Sequence, residues 1–313
     1  MKIGFVGLGN LGQPLAMNLV KAGHDVTVSD LRPECGVAFV EAGANCVENI
    51  ADVCRGAEAV ITALPSPEAS RAVVEKEGGV FDHLPAGSCW IEMSTTDFED
   101  IQRLAGVAAK KGLKVLECPV TGGVHLAHTG EITVLVGGES TLFEHFRPIL
   151  EVMGKEVIHL GDIGNASVVK VVTNMLAFIH LVAAGEGMML AAKQGVDLSA
   201  AYRAIRASSG NSFVHETESQ LILNGSYNIN FTMDLACKDL GFADRIAEKL
   251  DVPLELGSVT RHIFRRARTL YGGDAWSPKV VKMLEDACKQ PLRAPGFPDT
   301  LVAESTDPQK THD

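Results

Sequence analysis

Three groups of residues carry the chemistry legible in this chain. Gly7-Leu8-Gly9-Asn10-Leu11-Gly12 has the spacing G-x-G-x-x-G, directly after the apolar run Lys2–Val6 and at the start of an amphipathic stretch that reaches Ala22. There Gly7 permits a tight turn, Gly9 lets backbone approach a pyrophosphate, and Gly12 lets helix and strand pack closely, with Asn10 and Leu11 entering the helix whose N-terminus faces the anion. Asp30 ends the next apolar run, 18 residues beyond Gly12. A carboxylate at that place accepts both ribose hydroxyls and repels a 2′-phosphate, so the expected dinucleotide is NAD, with NADP less favoured. Arg32 is the opposing signal, because a guanidinium could hold that phosphate if Asp30 turned away.

Lys170 and Asn174 form the second group, at i and i+4 and therefore on one helical face. Lys170 stands among Val168, Val169, Val171 and Val172. In such company its ammonium either snorkels to water or sits in a partly buried cleft, where lost hydration makes it able to exchange a proton near neutral pH. Thr121-Gly122-Gly123 is the third group, following Glu117-Cys118-Pro119-Val120 at the end of a strand. Its approachable N–H groups suit a carboxylate, although a plain strand-to-loop turn has the same composition. Lys238-Asp239 reads locally as an exposed charge pair on a later helix. His125 and His128 read as ordinary loop histidines, so no metal is expected.

The elements that must position these groups follow from periodicity. Short runs at Lys2–Val6, Asp25–Ser29, Ala59–Ala63, Ser88–Glu92, Lys114–Glu117, Thr133–Gly137 and Glu156–His159 alternate with amphipathic stretches. This rhythm predicts a mostly parallel, doubly wound sheet of Rossmann type over residues 1–163, the last two runs adding an antiparallel edge. Beyond Gly164 the spacing turns helical, with one helix of about 30 residues to Gln194 that is apolar on too many sides for a surface helix. Further helices are expected at Ser199–Ala207, Val214–Leu223, Met233–Leu250, Pro253–Leu270 and Lys279–Lys289. The fold class is thus α/β, with an all-helical second domain over residues 164–292 and a disordered tail over 293–313.

Composition narrows the partners. The 28 Lys and Arg against 39 Asp and Glu give a charge of −11, which repels phosphate backbones and anionic bilayers, so neither nucleic acid nor membrane is an expected partner. Seven dispersed cysteines without a CxxC pair suit reduced thiols. No uninterrupted apolar run reaches spanning length and no secretory leader is visible, so the expected location is the cytoplasm. The apolar long helix suggests a homodimer or homotetramer.

The stretch from Gly7 to His24, with the three groups above in order, resembles the β-hydroxyacid dehydrogenases, a family that includes 3-hydroxyisobutyrate dehydrogenase and tartronate semialdehyde reductase and, more distantly, 6-phosphogluconate dehydrogenase. The resemblance spans residues 1 to about 290. It implies that Lys170 is the catalytic lysine and Asn174 its helical partner, that Thr121, Gly122 and Gly123 hold the substrate carboxylate, and that Lys238 borders the nicotinamide and substrate. It further implies cofactor contacts at Leu64, Pro65 and Thr95. Two positions depart from the family pattern: its Gly-x-Gly before the lysine reads Gly164-Asn165-Ala166, and the serine of its substrate turn is Thr121. Each adds a methyl group that narrows the pocket and bears on substrate identity. The implied activity is hydride transfer between NAD(H) and a small 3-hydroxy acid or the matching semialdehyde. Alternatives are a cofactor-binding scaffold without turnover, which the intact Lys170 and Asn174 oppose, and an imine or other reductase.

Overall fold

The computed structural model describes residues 1–302, which divide into two compact units, residues 1–170 and 171–302. Nine strands lie in the first: β1 (Lys2–Val6), β2 (Asp25–Ser29), β3 (Asn45–Cys46), β4 (Ala59–Thr62), β5 (Cys89–Glu92), β6 (Lys114–Glu117), β7 (Val120–Thr121), β8 (Ile132–Val136) and β9 (Gly154–His159). Six of them form a sheet of order β3-β2-β1-β4-β5-β6 in which every pairing is parallel. That order reverses direction between β1 and β4, the doubly wound arrangement that opens a crevice at the C-terminal strand ends.

Strand residues alternate faces, and the alternation sorts the core in two. Ile3, Phe5, Val26, Val28, Ile61 and Ile91 pack with Leu15 and Leu19 of the helix Gly12–Lys21. Val6, Val60 and Trp90 face the other way, onto Val74, Ile101 and Leu104. Helices cover both faces, so the central strands are buried along almost their whole length and read as continuous apolar runs.

The expected antiparallel edge takes a different form. β8 and β9 pair in parallel, β7 pairs antiparallel with β8, and the three make a separate sheet. The 14-residue helix Ser140–Met153 between β8 and β9 is long enough for a crossover, which a parallel pair requires. One antiparallel bridge, Glu117 to Gly137, links the ends of β6 and β8.

The long helix runs from Asn165 to Lys193. Its start coincides with the sequence break at 163/164, whereas the packed units divide after Lys170, because side-chain bonds from Glu117 hold the first helical turn in the first unit. By length and a mean hydropathy of 1.8 this helix could cross a bilayer, although no uninterrupted apolar run of that length exists. Three of its polar residues, Ser167, Lys170 and Asn174, are buried, whereas Asn165, His180, Glu186 and Lys193 are exposed. The helix is not buried throughout, as its sequence suggested: Phe178, Leu181 and Met188 enter the core of the second unit, while Val172, Leu176 and Leu190 are exposed.

Helices Leu198–Arg206, Phe213–Asn224, Met233–Leu250, Glu255–Tyr271 and Lys279–Cys288 complete the second unit around Phe264, Leu240 and Tyr202. The segment after Cys288 corrects the expected loose tail. Leu292 is fully buried, Arg293 donates to Glu285 and to the Ile222 carbonyl, and Phe297 packs edge-on against Tyr202. Four prolines and little periodicity hid an arginine that finds a buried carboxylate. The remainder of that tail, 303–313, lies outside the described residues.

Candidate active site

In a parallel sheet the strands end on one edge, and the sequence-predicted residues of the first unit collect there. Gly7 follows β1 with φ +99°, and a Cβ on it would collide with the Ala63 carbonyl oxygen after β4. A Cβ on Gly12 would collide with the Gly7 carbonyl oxygen. Around the Cβ position of Gly9 nothing lies within 4 Å. Leu11 is the N-cap of the helix Gly12–Lys21 and offers no side-chain bond, and the first turn carries no acid to repel an anion. Pro14 has no N–H and the Gln13 N–H is given to the Gly9 carbonyl at 3.0 Å, so an anion here would draw on the N–H groups at the very start of the helix. The open space at Gly9 and this uncapped helix start are the two features a dinucleotide pyrophosphate needs, and the turn fits one.

Asp30 follows β2. Its Oδ2 accepts the Leu8 N–H at 2.7 Å, and its Oδ1 accepts the Arg32 N–H at 2.9 Å and Arg32 Nε at 3.3 Å. Burial acts to raise its pKa, but these backbone donors and the guanidinium prevail and hold the carboxyl below its usual range. Arg32 is thus drawn toward Asp30 instead of standing as a separate anion site.

Leu64 and Thr95 sit after β4 and β5. The Leu64 N–H donates to Ser94 Oγ at 2.8 Å, and the Ser94 N–H donates to Glu92 Oε1 at 2.8 Å. Glu92 is 1% exposed, and burial pushes its pKa up. These bonds tie together the two loops that resemblance assigns to the cofactor. Pro65, beside them, is exposed.

Thr121 ends β7, the short strand after β6, and Gly122 and Gly123 follow it with φ +123° and +99°. Glu117, at the end of β6, is 1% exposed. Its carboxylate accepts the N–H groups of Gly164, Ala166 (3.0 Å) and Ser167 (3.2 Å) and the Ser167 hydroxyl (2.5 Å). Burial raises its pKa and these donors oppose the rise. Lys170, 8% exposed, comes three residues after Ser167. His125 is half-buried, its ring lying beside Gly123, and burial lowers its pKa. Among the described residues no group of three or more His, Cys, Asp or Glu side chains is gathered as a metal would need.

The remaining predicted residues lie in the second unit. Asn174 Nδ2 donates to Asp239 Oδ2 at 2.6 Å, and Lys238 Nζ stands 3.2 Å from Asp239 Oδ1. Asp239 is 1% exposed. Lys238-Asp239 is therefore not the exposed pair its local sequence suggested, because the carboxylate turns inward to orient the Asn174 amide.

Residues 2–161 match the family profile described as the NAD binding domain of 6-phosphogluconate dehydrogenase, and residues 164–284 match that of the NAD-binding of NADP-dependent 3-hydroxyisobutyrate dehydrogenase. The chain belongs to the β-hydroxyacid dehydrogenase family. It is 34% identical to 2-(hydroxymethyl)glutarate dehydrogenase of Eubacterium barkeri over 91% of this chain and 95% of that one. It is 35% identical to 3-hydroxyisobutyrate dehydrogenase of Pseudomonas aeruginosa, over 84% and 90%. A crystal structure of 3-hydroxyisobutyrate dehydrogenase from Salmonella typhimurium superposes with a TM-score of 0.84 at 29% identity, covering 90% of this chain and 99% of that one. This β-hydroxyacid dehydrogenase is an NAD(P)-dependent oxidoreductase of hydroxy acids, so imine reduction and a scaffold without turnover are set aside.

Sequence reasoning passed over four supporting residues, Glu92, Ser94, Glu117 and Ser167, and read a fifth, Asp239, as exposed. Only the carboxylates left a trace, as charges in otherwise apolar surroundings, and their partners lie 2 to 65 positions away.

Proposed function

We propose that this protein uses NAD to oxidise the hydroxyl of a small 3-hydroxy acid, or in reverse reduces the matching semialdehyde, with Lys170 as the general acid and base. The relatives' names share one chemical element, a carboxylate with a hydroxymethyl group on the neighbouring carbon. Thr121, Gly122 and Gly123 hold the carboxylate through N–H groups and the Thr121 hydroxyl. Lys170 takes the hydroxyl proton in oxidation and returns it in reduction, and Asn174 holds the substrate in register. The nicotinamide, when bound, accepts or gives the hydride. Gly7, Gly9 and Gly12, with the N–H groups of Asn10 and Leu11, hold its pyrophosphate, Asp30 its ribose, and Leu64, Pro65, Thr95 and Lys238 its nicotinamide end. Ionised Asp30, engaged with Leu8 and Arg32, favours NAD over NADP.

The observation that carries this reading is the burial of Lys170 on a helical turn fastened to the strand that leads into Thr121. A solvated surface lysine needs neither. The test is incubation with NAD and a panel of 3-hydroxy acids, followed by NADH absorbance, for wild type and Lys170→Ala. General acid–base groups contribute ~10²–10⁴-fold to rate, so kcat should fall by that factor while NAD affinity is kept. A Lys170→Ala enzyme with near-normal kcat defeats the assignment.

A further inference from the structure

We infer that Glu117 is a positioning residue for proton transfer: its carboxylate holds the first turn of the Lys170 helix against the strand end that leads into the substrate turn. The inference rests on the roles of Lys170 and Thr121-Gly122-Gly123 proposed above.

A helix start is ordinarily satisfied by a residue just before it, a Ser, Thr, Asp or Asn whose side chain bonds the first-turn N–H groups. Here the acceptor lies 47 to 50 positions earlier in the chain. A local cap would serve the orphan donors of this helix equally well, but it would leave the helix start unattached to β6. The remote cap does both.

Its surroundings show what that attachment takes. Glu117 is fixed at the backbone by a two-way pairing with Gly137, N–H to carbonyl at 3.0 and 2.9 Å. The side chain then passes over Gly137, where any Cβ would collide with Oε1. A carboxylate removed from water is costly, and three backbone N–H groups, one hydroxyl and the positive end of the helix dipole offset that cost.

The geometry makes this carboxylate a spacer between two functional points. Four residues after Glu117 comes Thr121, and three residues after Ser167 comes Lys170, a rise of ~4.5 Å along the helix. The carboxylate anchor and the ammonium are thus set relative to one another through Glu117. Proton transfer depends on that separation, and a displacement of ~1 Å can cost ~10²-fold in rate. Dinucleotide binding, which draws on the ends of β1, β2, β4 and β5 and on Lys238, does not.

The experiment is a double-mutant cycle on the full-length enzyme with Glu117→Gln, Lys170→Ala and the pair, measured at saturating NAD and hydroxy acid. Glu117→Gln should lower kcat by about 10- to 100-fold with an unchanged KM for NAD. In the Lys170→Ala background the same change should have little further effect, because the group it positions is gone. Full additivity, an undiminished kcat, or a parallel rise in the KM for NAD would each overturn the inference. Should Glu117→Gln fail to fold, Ser167→Ala removes one donor in its place. It should slow kcat severalfold in wild type but not in Lys170→Ala, and Ser167→Thr, which keeps the hydroxyl, should restore the rate; a full rate in Ser167→Ala overturns the inference. A wild type inactive on every 3-hydroxy acid, or a fully active Lys170→Ala, overturns both this and the underlying reading. Additivity overturns the role of Glu117 alone.

Discussion

Asp30 shows how much one carboxylate can decide. Both of its oxygens are already engaged by Leu8 and Arg32, which fixes its direction before any dinucleotide arrives and keeps it ionised. A 2′-phosphate brought to that position would meet a negative charge, so kcat/KM with NAD should exceed that with NADP by about tenfold or more, equivalent to ~1.4 kcal/mol. Because the carboxyl is held below its usual range and the 2′-phosphate loses its second proton near pH ~6, this preference should not titrate between about pH 7.5 and 9. Asp30→Asn should narrow the gap, since it removes the repulsion and frees Arg32. Equal or better turnover with NADP in wild type would instead assign the choice to Arg32. Asp30 was legible because strand, glycine turn and acid follow at short spacing. Glu117 was not, because its partners are brought to it only by the fold.

At the scale of elements, the two ends of the glycine turn separate fold from function. Gly12 has the Gly7 carbonyl where a Cβ would go, so Gly12→Ala must push helix from strand and should lower the melting temperature whether or not NAD is present. Gly9 has open space and no positive φ, so Gly9→Ala should keep stability within ~1 kcal/mol of wild type. Its methyl group would stand where the pyrophosphate approaches, and calorimetry should show NAD binding weakened at least tenfold. If Gly9→Ala binds NAD as wild type does, the open space is not the pyrophosphate site. The same scale explains which elements the sequence displayed. Central strands such as β4 and β5 are buried on both faces and stand out as apolar runs, and the helix from 165 announces itself by length. β3 is two exposed residues, Asn45–Cys46, recognisable only as a partner of β2, and the parallel pairing of β8 with β9 is a property of their crossover, which neither strand's own residues encode.

For the whole molecule, the long helix poses the remaining question of what covers it. Val172, Leu176 and Leu190 are 42%, 44% and 74% exposed. Four and 14 residues apart at ~100° per residue, they fall within about 40° of one another and form an apolar stripe that the exposed Glu186 interrupts between Leu176 and Leu190. A chain with a charge of −11 gains nothing by leaving such a stripe wet, and a second copy of the same helix offers a matching surface that a two-fold axis can bring to it. We therefore expect self-association, read by light scattering as a mass of at least twice that of the chain. Leu176→Glu would place an unpaired carboxylate in that interface on both copies, at a cost of several kcal/mol, enough to raise the dissociation constant by ~100-fold or more. The substituted protein should scatter as a monomer while its helical circular dichroism is kept, because Leu176 contributes little to the core of its own unit. A wild type that is already monomeric at micromolar concentration, or a Leu176→Glu protein that keeps the wild-type mass, would show that the stripe is not where copies meet.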